Sequence, residues 1–325
     1  MRAIVIAAPG PPDVLQIGDA ARPNLGPRDL RIAVRATAVN RADLLQREGH
    51  YPPPPGASEI LGLECAGTVA EIGADVSGWR IGERVMALLP GGGYAEEVVV
   101  DAGSAMRVPD VLSDEEAAAF PEVFLTAFSN LFLLARVREG ESALIHGGGS
   151  GVGTAATTLL KLAGVRVFVT AGSREKCDRC LAHGADVAIN YREEDFVEKA
   201  RGVNVVLDHI GARYVSRDLE ALAMEGRIVV IGSMGGARAT ELDITTLLGK
   251  RAQLIGSTLR GRSNEAKAEI VRAFLARFGN DLDAGRIRPV IHAVLPFERA
   301  GDAHRLMASN EHFGKIVLRV APVSS

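Results

Sequence analysis

Cysteine is scarce in this chain. Cys65, Cys177 and Cys180 are the only three among 325 residues, and they form no disulfide framework, which suits a reducing cytosol. A charge excess is lacking as well. The 37 basic and 40 acidic side chains leave a net charge of −3, so there is no electrostatic case for nucleic acid or an anionic membrane as the main partner. Long apolar runs are missing too. The most apolar later window, 123–137, is interrupted by Thr126, Ser129 and Asn130 and is too short to span a bilayer. The opening residues, Met1 to Pro9, meet proline too soon for a signal peptide and are expected to form a first strand. No internal repeat, low-complexity tract or long charge run interrupts the rest. These absences lead to the expectation of a soluble, cytoplasmic protein.

What the chain does have is ordinary globular material. It is 47% hydrophobic and 24% charged, a balance that buries large cores, and its length suits about two domains of ~150 residues. Residues 1–115 carry short β-like runs, such as Leu30 to Arg35, Gly67 to Ile72, Arg84 to Leu88 and Ala95 to Val100, separated by Gly/Pro turns. That rhythm predicts a barrel-like domain. The run from Tyr51 through four prolines to Gly56 cannot join a central strand, because proline lacks the donor. It is expected to be a stiff exposed loop, either a linker or, given its aromatic, the rim of an active site. From Ser113 the character changes. Ser113-Asp-Glu-Glu116 is a capping-box pattern that opens a helix. Six apolar strands then alternate with helices: 143–146, 165–170, 186–190, 203–210, 227–232 and 252–258. Near-continuous apolar strands suit a parallel sheet covered on both faces, and two groups of three suit a doubly wound dinucleotide-binding domain. After a helix over 266–278, strands at 290–294 and 315–320 flank a helix at 298–308 and are expected to complete the first domain. The boundaries read as 1–115 with 285–325, and 116–284.

The chemistry begins at Glu141 to Ala156, a buried strand, a glycine turn (Gly147 to Gly153) and a helix start. Such a junction presents backbone N–H groups and a helix N-terminus to a pyrophosphate with no Cβ in the way. The spacing is Gly148-x-x-Gly151-x-Gly153 rather than the common G-x-G-x-x-G, so the turn alone also fits a glycine-rich connection in another α/β domain. Twenty residues past Gly153, where an acid would hold the ribose of NAD, stands Thr170-Ala-Gly-Ser-Arg-Glu-Lys176. Ser173, Arg174 and Lys176 suit a 2′-phosphate through charge-assisted hydrogen bonds. They also suit an N-cap and solvated helix charges. NADPH is the cofactor expected, with NADH the alternative.

Several stretches carry a resemblance: Val39 to Arg47, Pro53 to Ser58, Ile60 to Glu64, Met86 to Gly93, Leu125 to Phe128, the turn at 145–156, Thr170 to Ser173, Asn190-Tyr191 and Gly314 to Leu318. Nearly end to end, the chain resembles the zinc-free quinone oxidoreductases (zeta-crystallin-like) among medium-chain dehydrogenases/reductases. It is especially similar to their tumour-suppressor-inducible subgroup, which shares Ser150 in the turn. The resemblance implies an α/β protein with a GroES-like β-barrel domain and a doubly wound parallel-sheet Rossmann domain enclosing a cleft, commonly as a homodimer. It implies Asn40 and Thr126 at the nicotinamide end, and Gly148, Gly151, Val152 and Gly153 at the pyrophosphate. Ser173 and Lys176 would take the 2′-phosphate, with Tyr191 beside the adenosine, while Ser233, Met234, Leu259 and Lys315 lie in segments that close over the cofactor in relatives. In zinc-dependent relatives a cysteine, a histidine and an acid bind the catalytic ion. Here Asn40 stands at the cysteine position, Leu63 precedes Glu64 where histidine would be, and the cysteines of the structural zinc lobe are absent, so no metal is expected. Cys177-x-x-Cys180 resembles half a zinc site or a redox pair, but on a predicted helix without partners it reads as two small half-buried residues.

Without a metal an alcohol has no Lewis acid to help it ionise. A quinone, an enone or an enoyl thioester accepts hydride more easily, and the protein then has to orient the nicotinamide against the acceptor. Tyr51 matches the loop position where related enoyl reductases place a catalytic tyrosine, and its hydroxyl suits a developing oxyanion; packing against substrate is the other reading. Lys250, Arg251, Arg260 and Arg262 lie near the ends of the sixth strand, where Arg260 or Arg262 would hold a phosphate of coenzyme A or of the cofactor, or else these cations are solvated surface. Three functions stay open: an NADPH-dependent quinone or enone reductase, a dedicated enoyl-CoA reductase, and a cofactor-binding structural or regulatory protein.

Overall fold

The computed structural model describes residues 1–320, so the last five residues of the expected 285–325 segment lie outside it. The chain forms two compact units, Met1–Leu125 with Leu259–Ser325, and Thr126–Thr258. In chain order come strands β1 (Arg2–Ile6), β2 (Leu15–Asp19) and β3 (Asp29–Val39), helix α1 (Arg41–Arg47), and strands β4 (Glu64–Ile72), β5 (Arg84–Leu88), β6 (Glu97–Asp101) and β7 (Ala105–Arg107). Helices α2 (Asp114–Ala118) and α3 (Pro121–Phe128) follow. The second unit alternates β8 (Ser142–Ile145), α4 (Gly151–Leu162), β9 (Arg166–Ala171), α5 (Arg174–Ala182), β10 (Val187–Asn190) and α6 (Phe196–Lys199). It continues with β11 (Val203–Asp208), α7 (Val215–Ala221), β12 (Leu222–Val230), α8 (Ile244–Gly249) and β13 (Gln253–Gly256). The chain then returns through α9 (Asn264–Asp283), β14 (Ile291–Pro296), α10 (Ala300–Ser309) and β15 (Lys315–Arg319).

In the first unit one sheet runs β14-β15-β3-β4-β5-β7, with β6 also paired to β3. Its pairings are antiparallel except β14 with β15. Leu30, Ile32, Val69, Val85 and Leu318 are among the buried apolar side chains of its core. The long strand β3 organises it, because β4, β6 and β15 all pair with it. Register then fixes the chemistry. Val39 pairs with Ile316 and Thr37 with Cys65, so Asn40 just past β3, Glu64 at the start of β4 and Lys315 at the start of β15 meet at one edge.

The predicted capping box is present: Ser113 Oγ accepts from the Glu116 amide at 3.1 Å, and Glu116 Oε2 accepts from the Ser113 amide at 2.9 Å. The return to the first unit comes at Leu259, earlier than the expected residue 285. The reason lies in α9, whose buried face carries Ala268, Ile270, Val271, Phe274 and Phe278. Phe274 meets Phe120 edge-on at 5.7 Å, and a Cβ on Gly103 would stand 2.6 Å from Ala268 Cβ, so the helix packs where only glycine fits.

The second unit is a six-stranded parallel sheet in the order β10-β9-β8-β11-β12-β13. Consecutive residues Ala143, Leu144 and Ile145 of β8 and Val205, Val206 and Leu207 of β11 are buried, as strands covered on both faces must be. The strand order reverses between β8 and β11, and in such sheets ligands bind beyond the carboxyl ends at that point. The glycine turn leaves from the end of β8.

Candidate active site

In the second unit β8 ends at Ile145 and the turn begins. Gly147 adopts φ +64°, and a Cβ there would stand 2.5 Å from the His209 ring. A Cβ on Gly148 would stand 2.5 Å from Val169 Cβ, and one on Gly153 only 2.3 Å from the Gly147 carbonyl oxygen. Ser150 caps α4, its hydroxyl accepting from the Gly153 amide at 3.0 Å. That donor is therefore satisfied internally. The amides of Gly151 and Val152, in the first turn, make no hydrogen bond to any described residue, and a helix N-terminus with unpaired N–H groups is suited to an anion. The cradle fits a pyrophosphate by shape and by donors.

The turn is anchored from below. His146, 1% exposed, meets Asp218 Oδ1 through Nε2 at 2.8 Å and Thr170 Oγ1 through Nδ1 at 3.1 Å. Thr170 Oγ1 in turn accepts from the Gly147 amide at 3.2 Å. Asp208 caps the next turn by accepting from the Ile210 and Gly211 amides. Burial, then the charge of Asp218, pushes the Asp208 carboxyl up to about 6. His146, Asp208 and Asp218 are the one group among the described residues with metal-ligating atoms this close together. Their hydrogen bonds make them a brace beneath the turn.

At the end of β9, Ser173 caps α5 and accepts from the Lys176 amide at 3.2 Å. Gly172 leaves space for Tyr191, whose hydroxyl would lie 2.7 Å from a Cβ at that position. The structure thus brings Ser173, Lys176 and Tyr191 to one corner. Burial first, then the positive charge of Arg179 and, more weakly, Arg192, lowers the Lys176 pKa below the usual lysine range. Cations crowded this way favour an anion among them. Arg192 was not found from sequence; its place directly after Tyr191 was the available signal. Arg174 points away, 89% exposed beside Asp178. Cys177 and Cys180 are fully buried on α5 rather than half-buried, and burial pushes the Cys180 thiol up to about 12. In the same unit, Thr126 is buried and its carbonyl accepts from Asn130 Nδ2 at 2.7 Å. Ser233 and Met234 are exposed in the loop after β12, where the Met234 amide donates to the His209 carbonyl at 3.1 Å.

In the first unit Asn40 and Lys315 come together around Glu64. Asn40 Nδ2 donates to Glu64 Oε1 at 3.0 Å, and Lys315 Nζ lies 2.6 Å from Asn40 Oδ1 and 2.7 Å from Glu64 Oε1. An ammonium and an amide thus hold the carboxylate that follows Leu63, with no thiolate or imidazole donor in the set. Leu259 is buried at the start of the returning segment. Tyr51 is partly buried, not fully exposed on its loop: the guanidinium carbon of Arg260 lies 5.2 Å from its ring centroid. Burial raises the Tyr51 pKa above its ordinary value, so its hydroxyl stays protonated at neutral pH and can donate.

Arg260 does not stand ready for a phosphate. It is 4% exposed and donates to the Pro90 carbonyl at 2.7 Å, Gln46 Oε1 at 2.7 Å and the Tyr51 carbonyl at 3.4 Å. Lys250 is likewise occupied, donating to the carbonyls of Leu219, Glu220 and Leu222, and Arg251 pairs with Glu225 at 3.0 Å. The expectation of a coenzyme A or cofactor phosphate is corrected for Arg260. A buried guanidinium must spend its donors locally.

Residues 26–110 match the family model of the alcohol dehydrogenase GroES-like domain, and residues 183–318 match that of zinc-binding dehydrogenase. Quinone oxidoreductase of Mus musculus is 31% identical over 329 residues, covering 98% of this chain and 97% of that protein. Among solved structures, Escherichia coli quinone oxidoreductase complexed with NADPH aligns with a TM-score of 0.85 at 28% identity, covering 98% of this chain and 100% of that one. The CurK enoyl reductase aligns with a TM-score of 0.86 at 27% identity, covering 98% and 99%. The chain belongs to the zinc-free quinone oxidoreductase family of the medium-chain dehydrogenases/reductases. It is a GroES-like domain joined to a Rossmann-type parallel sheet, and its class is that of a nicotinamide-dependent oxidoreductase. No helix among the described residues is long and apolar enough to cross a membrane.

Proposed function

We propose that the chain is an NADPH-dependent reductase that delivers hydride to a quinone or to the activated C=C bond of an enone. The observation that carries this reading is the Glu64–Lys315–Asn40 cluster. It sets an ammonium, which repels a cation, and an amide, which is a poor donor to zinc, beside the one acid that would belong to a zinc site. An acceptor that takes hydride without Lewis-acid help suits such a site, and an unactivated carbonyl does not. Bound NADPH would supply the hydride. The protein's part is to hold and orient: the Gly151 and Val152 amides toward a pyrophosphate, Ser173 and Lys176 toward a 2′-phosphate, and Tyr191 beside the adenine. Asn40 and Tyr51 belong to the acceptor end, where the neutral Tyr51 hydroxyl donates a hydrogen bond to the oxygen that gains charge.

An enoyl thioester is the second reading, favoured by the likeness to the CurK enoyl reductase; the engagement of Arg260 weighs against its phosphate on that side chain. The test is oxidation of NADPH and NADH by the purified protein with a panel of quinones, free enones and enoyl-CoA esters, with and without chelator. NADPH oxidation by quinones and free enones, indifferent to chelator, is expected. Activity confined to enoyl-CoA would favour the second reading, and none with any acceptor would reject both.

A further inference from the structure

Asp218, on α7 of the second unit, is wholly buried, yet only one of its carboxyl oxygens is used. Oδ1 meets His146 Nε2 at 2.8 Å, while Oδ2 has no hydrogen-bond partner among the described residues. A second buried acid stands in the same cluster: His146, Asp208 and Asp218 each bring a polar atom within 4.8 Å of the others. Two acids buried together, with one oxygen unsatisfied, cost stability that an apolar pair would not. Their place calls for a function. Asp218 follows β11, whereas His146 and Thr170 stand at the ends of β8 and β9. The His146–Asp218 bond therefore crosses the point where the strand order reverses, from one half of the sheet to the other.

The hydrogens of this chain have one consistent order. The Gly147 amide can only donate, so Thr170 Oγ1 accepts it at 3.2 Å. A carboxylate can only accept, so His146 Nε2 carries the hydrogen toward Asp218. The neutral ring then has its lone pair at Nδ1, and the Thr170 hydroxyl donates there at 3.1 Å. With the hydrogen on Nδ1 instead, the Nε2 lone pair would face the carboxylate. Phe196 and Tyr214 meet the imidazole edge-on, at 4.9 and 4.8 Å, and hold its plane. The Thr170 carbonyl also accepts from the Gly148 amide at 2.8 Å, so one residue holds two consecutive amides at the start of the turn. Gly153 packs so closely on the Gly147 carbonyl that a Cβ would stand 2.3 Å away; the start of the turn and the first turn of α4 therefore move together. Thr170, His146 and Asp218 are linked like a nucleophilic triad, but they are 1%, 1% and 0% exposed. They hold rather than react.

We propose that His146 and Thr170 are positioning residues for the dinucleotide. Asp218 keeps the His146 hydrogen on Nε2, His146 turns the Thr170 hydroxyl, and Thr170 fixes the Gly147 amide, so that the Gly151 and Val152 amides meet the pyrophosphate. This rests on the reading above that a nicotinamide dinucleotide binds at the glycine turn. The pyrophosphate is common to NADPH and NADH, so the chain acts on both alike, unlike the corner at Lys176.

The test compares wild type with Thr170→Val, which keeps the shape and the backbone carbonyl but loses the hydroxyl, and with Thr170→Ser, which keeps the hydroxyl. Calorimetric titration with NADPH and with NADH reads the affinities. Thr170→Val is expected to raise both dissociation constants by about five- to tenfold, the scale of one hydrogen bond, and Thr170→Ser to bind both as wild type does. Nitrogen NMR of the cofactor-free full chain should show His146 as the neutral ring with its hydrogen on Nε2. Wild-type affinity in Thr170→Val overturns the proposal while leaving the cofactor reading intact, and so does a serine variant as weak as the valine one. A wild-type spectrum with the hydrogen on Nδ1 also overturns it, a measurement that stands even if a variant fails to fold. A wild type that binds neither dinucleotide overturns the cofactor reading and the proposal with it.

Discussion

Lys315 Nζ stands 2.7 Å from Glu64 Oε1 in a place where the lysine is 2% and the glutamate 0% exposed. Removing one partner of such a pair leaves the other as an uncompensated buried charge. Lys315→Met should therefore lower the unfolding free energy by about 3–5 kcal/mol. Adding Glu64→Gln should recover much of the loss, because the double variant buries no net charge. Urea denaturation of both variants is the measurement. A single variant as stable as wild type would mean that water or a shifted proton already compensates the carboxylate.

The glycine turn makes a sharper demand. A Cβ on Gly153 would stand 2.3 Å from the carbonyl oxygen of Gly147 and 2.7 Å from that of Gly148. Both are backbone atoms and cannot rotate away, so the turn itself must move. Gly153→Ala should cost about 1–3 kcal/mol of stability, as overpacking does, and should weaken dinucleotide binding by about tenfold or more, since the Gly151 and Val152 amides shift with the turn. Thermal melting and calorimetric titration with NADPH read the two effects separately. Unaltered affinity would mean that the turn adjusts without moving its donors.

A different element responds to pH. His304, fully buried, meets Arg47 Nη1 through Nδ1 at 3.2 Å and Tyr94 Oη through Nε2 at 3.1 Å. An arginine can only donate, so Nδ1 accepts and Nε2 carries the hydrogen toward Tyr94. Burial first, then the Arg47 charge, holds the imidazole pKa down to about 3, against 6.5 for an ordinary histidine. Between those values the unfolded chain binds the extra proton and the folded chain does not. The stability from this group is therefore complete above about pH 6.5 and falls toward pH 3, by about 1.4 kcal/mol per pH unit. Asp43, raised to about 6 by burial, works in the opposite sense but is present in wild type and variant alike. His304→Gln should flatten the acid limb of a stability–pH curve, and parallel curves would rule His304 out as its source.

Sequence patterning made the second unit largely legible. Its parallel strands are largely apolar runs, so all six were visible, although β13 at the sheet edge is mostly exposed; the glycine turn and the cap at Ser173 were visible too. The first unit was legible as short strands, but its site was not. Asn40, Glu64 and Lys315 are distant in sequence, and only the register of β3 with β4 and β15 brings them together. The burial of Arg260 was likewise invisible, because a basic residue after a strand reads as surface until its carbonyl partners are placed. The return at Leu259 was misjudged because the apolar face of α9 suits either unit, and the glycine at residue 103 that receives it lies far away in the chain.

The last prediction concerns the phosphate corner. Lys176 is partly buried, with its pKa lowered by burial and by Arg179 and Arg192, so an anion bound there gains from several cations at once. A 2′-phosphate is such an anion and the ribose hydroxyl of NADH is not. One charge-assisted hydrogen bond is worth about 1.5–3 kcal/mol, or roughly ten- to a hundredfold in affinity. Lys176→Ala should therefore raise the dissociation constant for NADPH by that factor and change that for NADH little, which narrows the preference between the two cofactors. Quenching of protein fluorescence, or calorimetric titration with each dinucleotide, gives the two constants without turnover. The effect on NADPH should shrink as salt increases, because the lysine is only partly buried and screening acts on it. An equal loss of affinity for both dinucleotides would assign Lys176 to the shared part of the cofactor, and no loss for either would leave Ser173 and Arg192 to hold the phosphate.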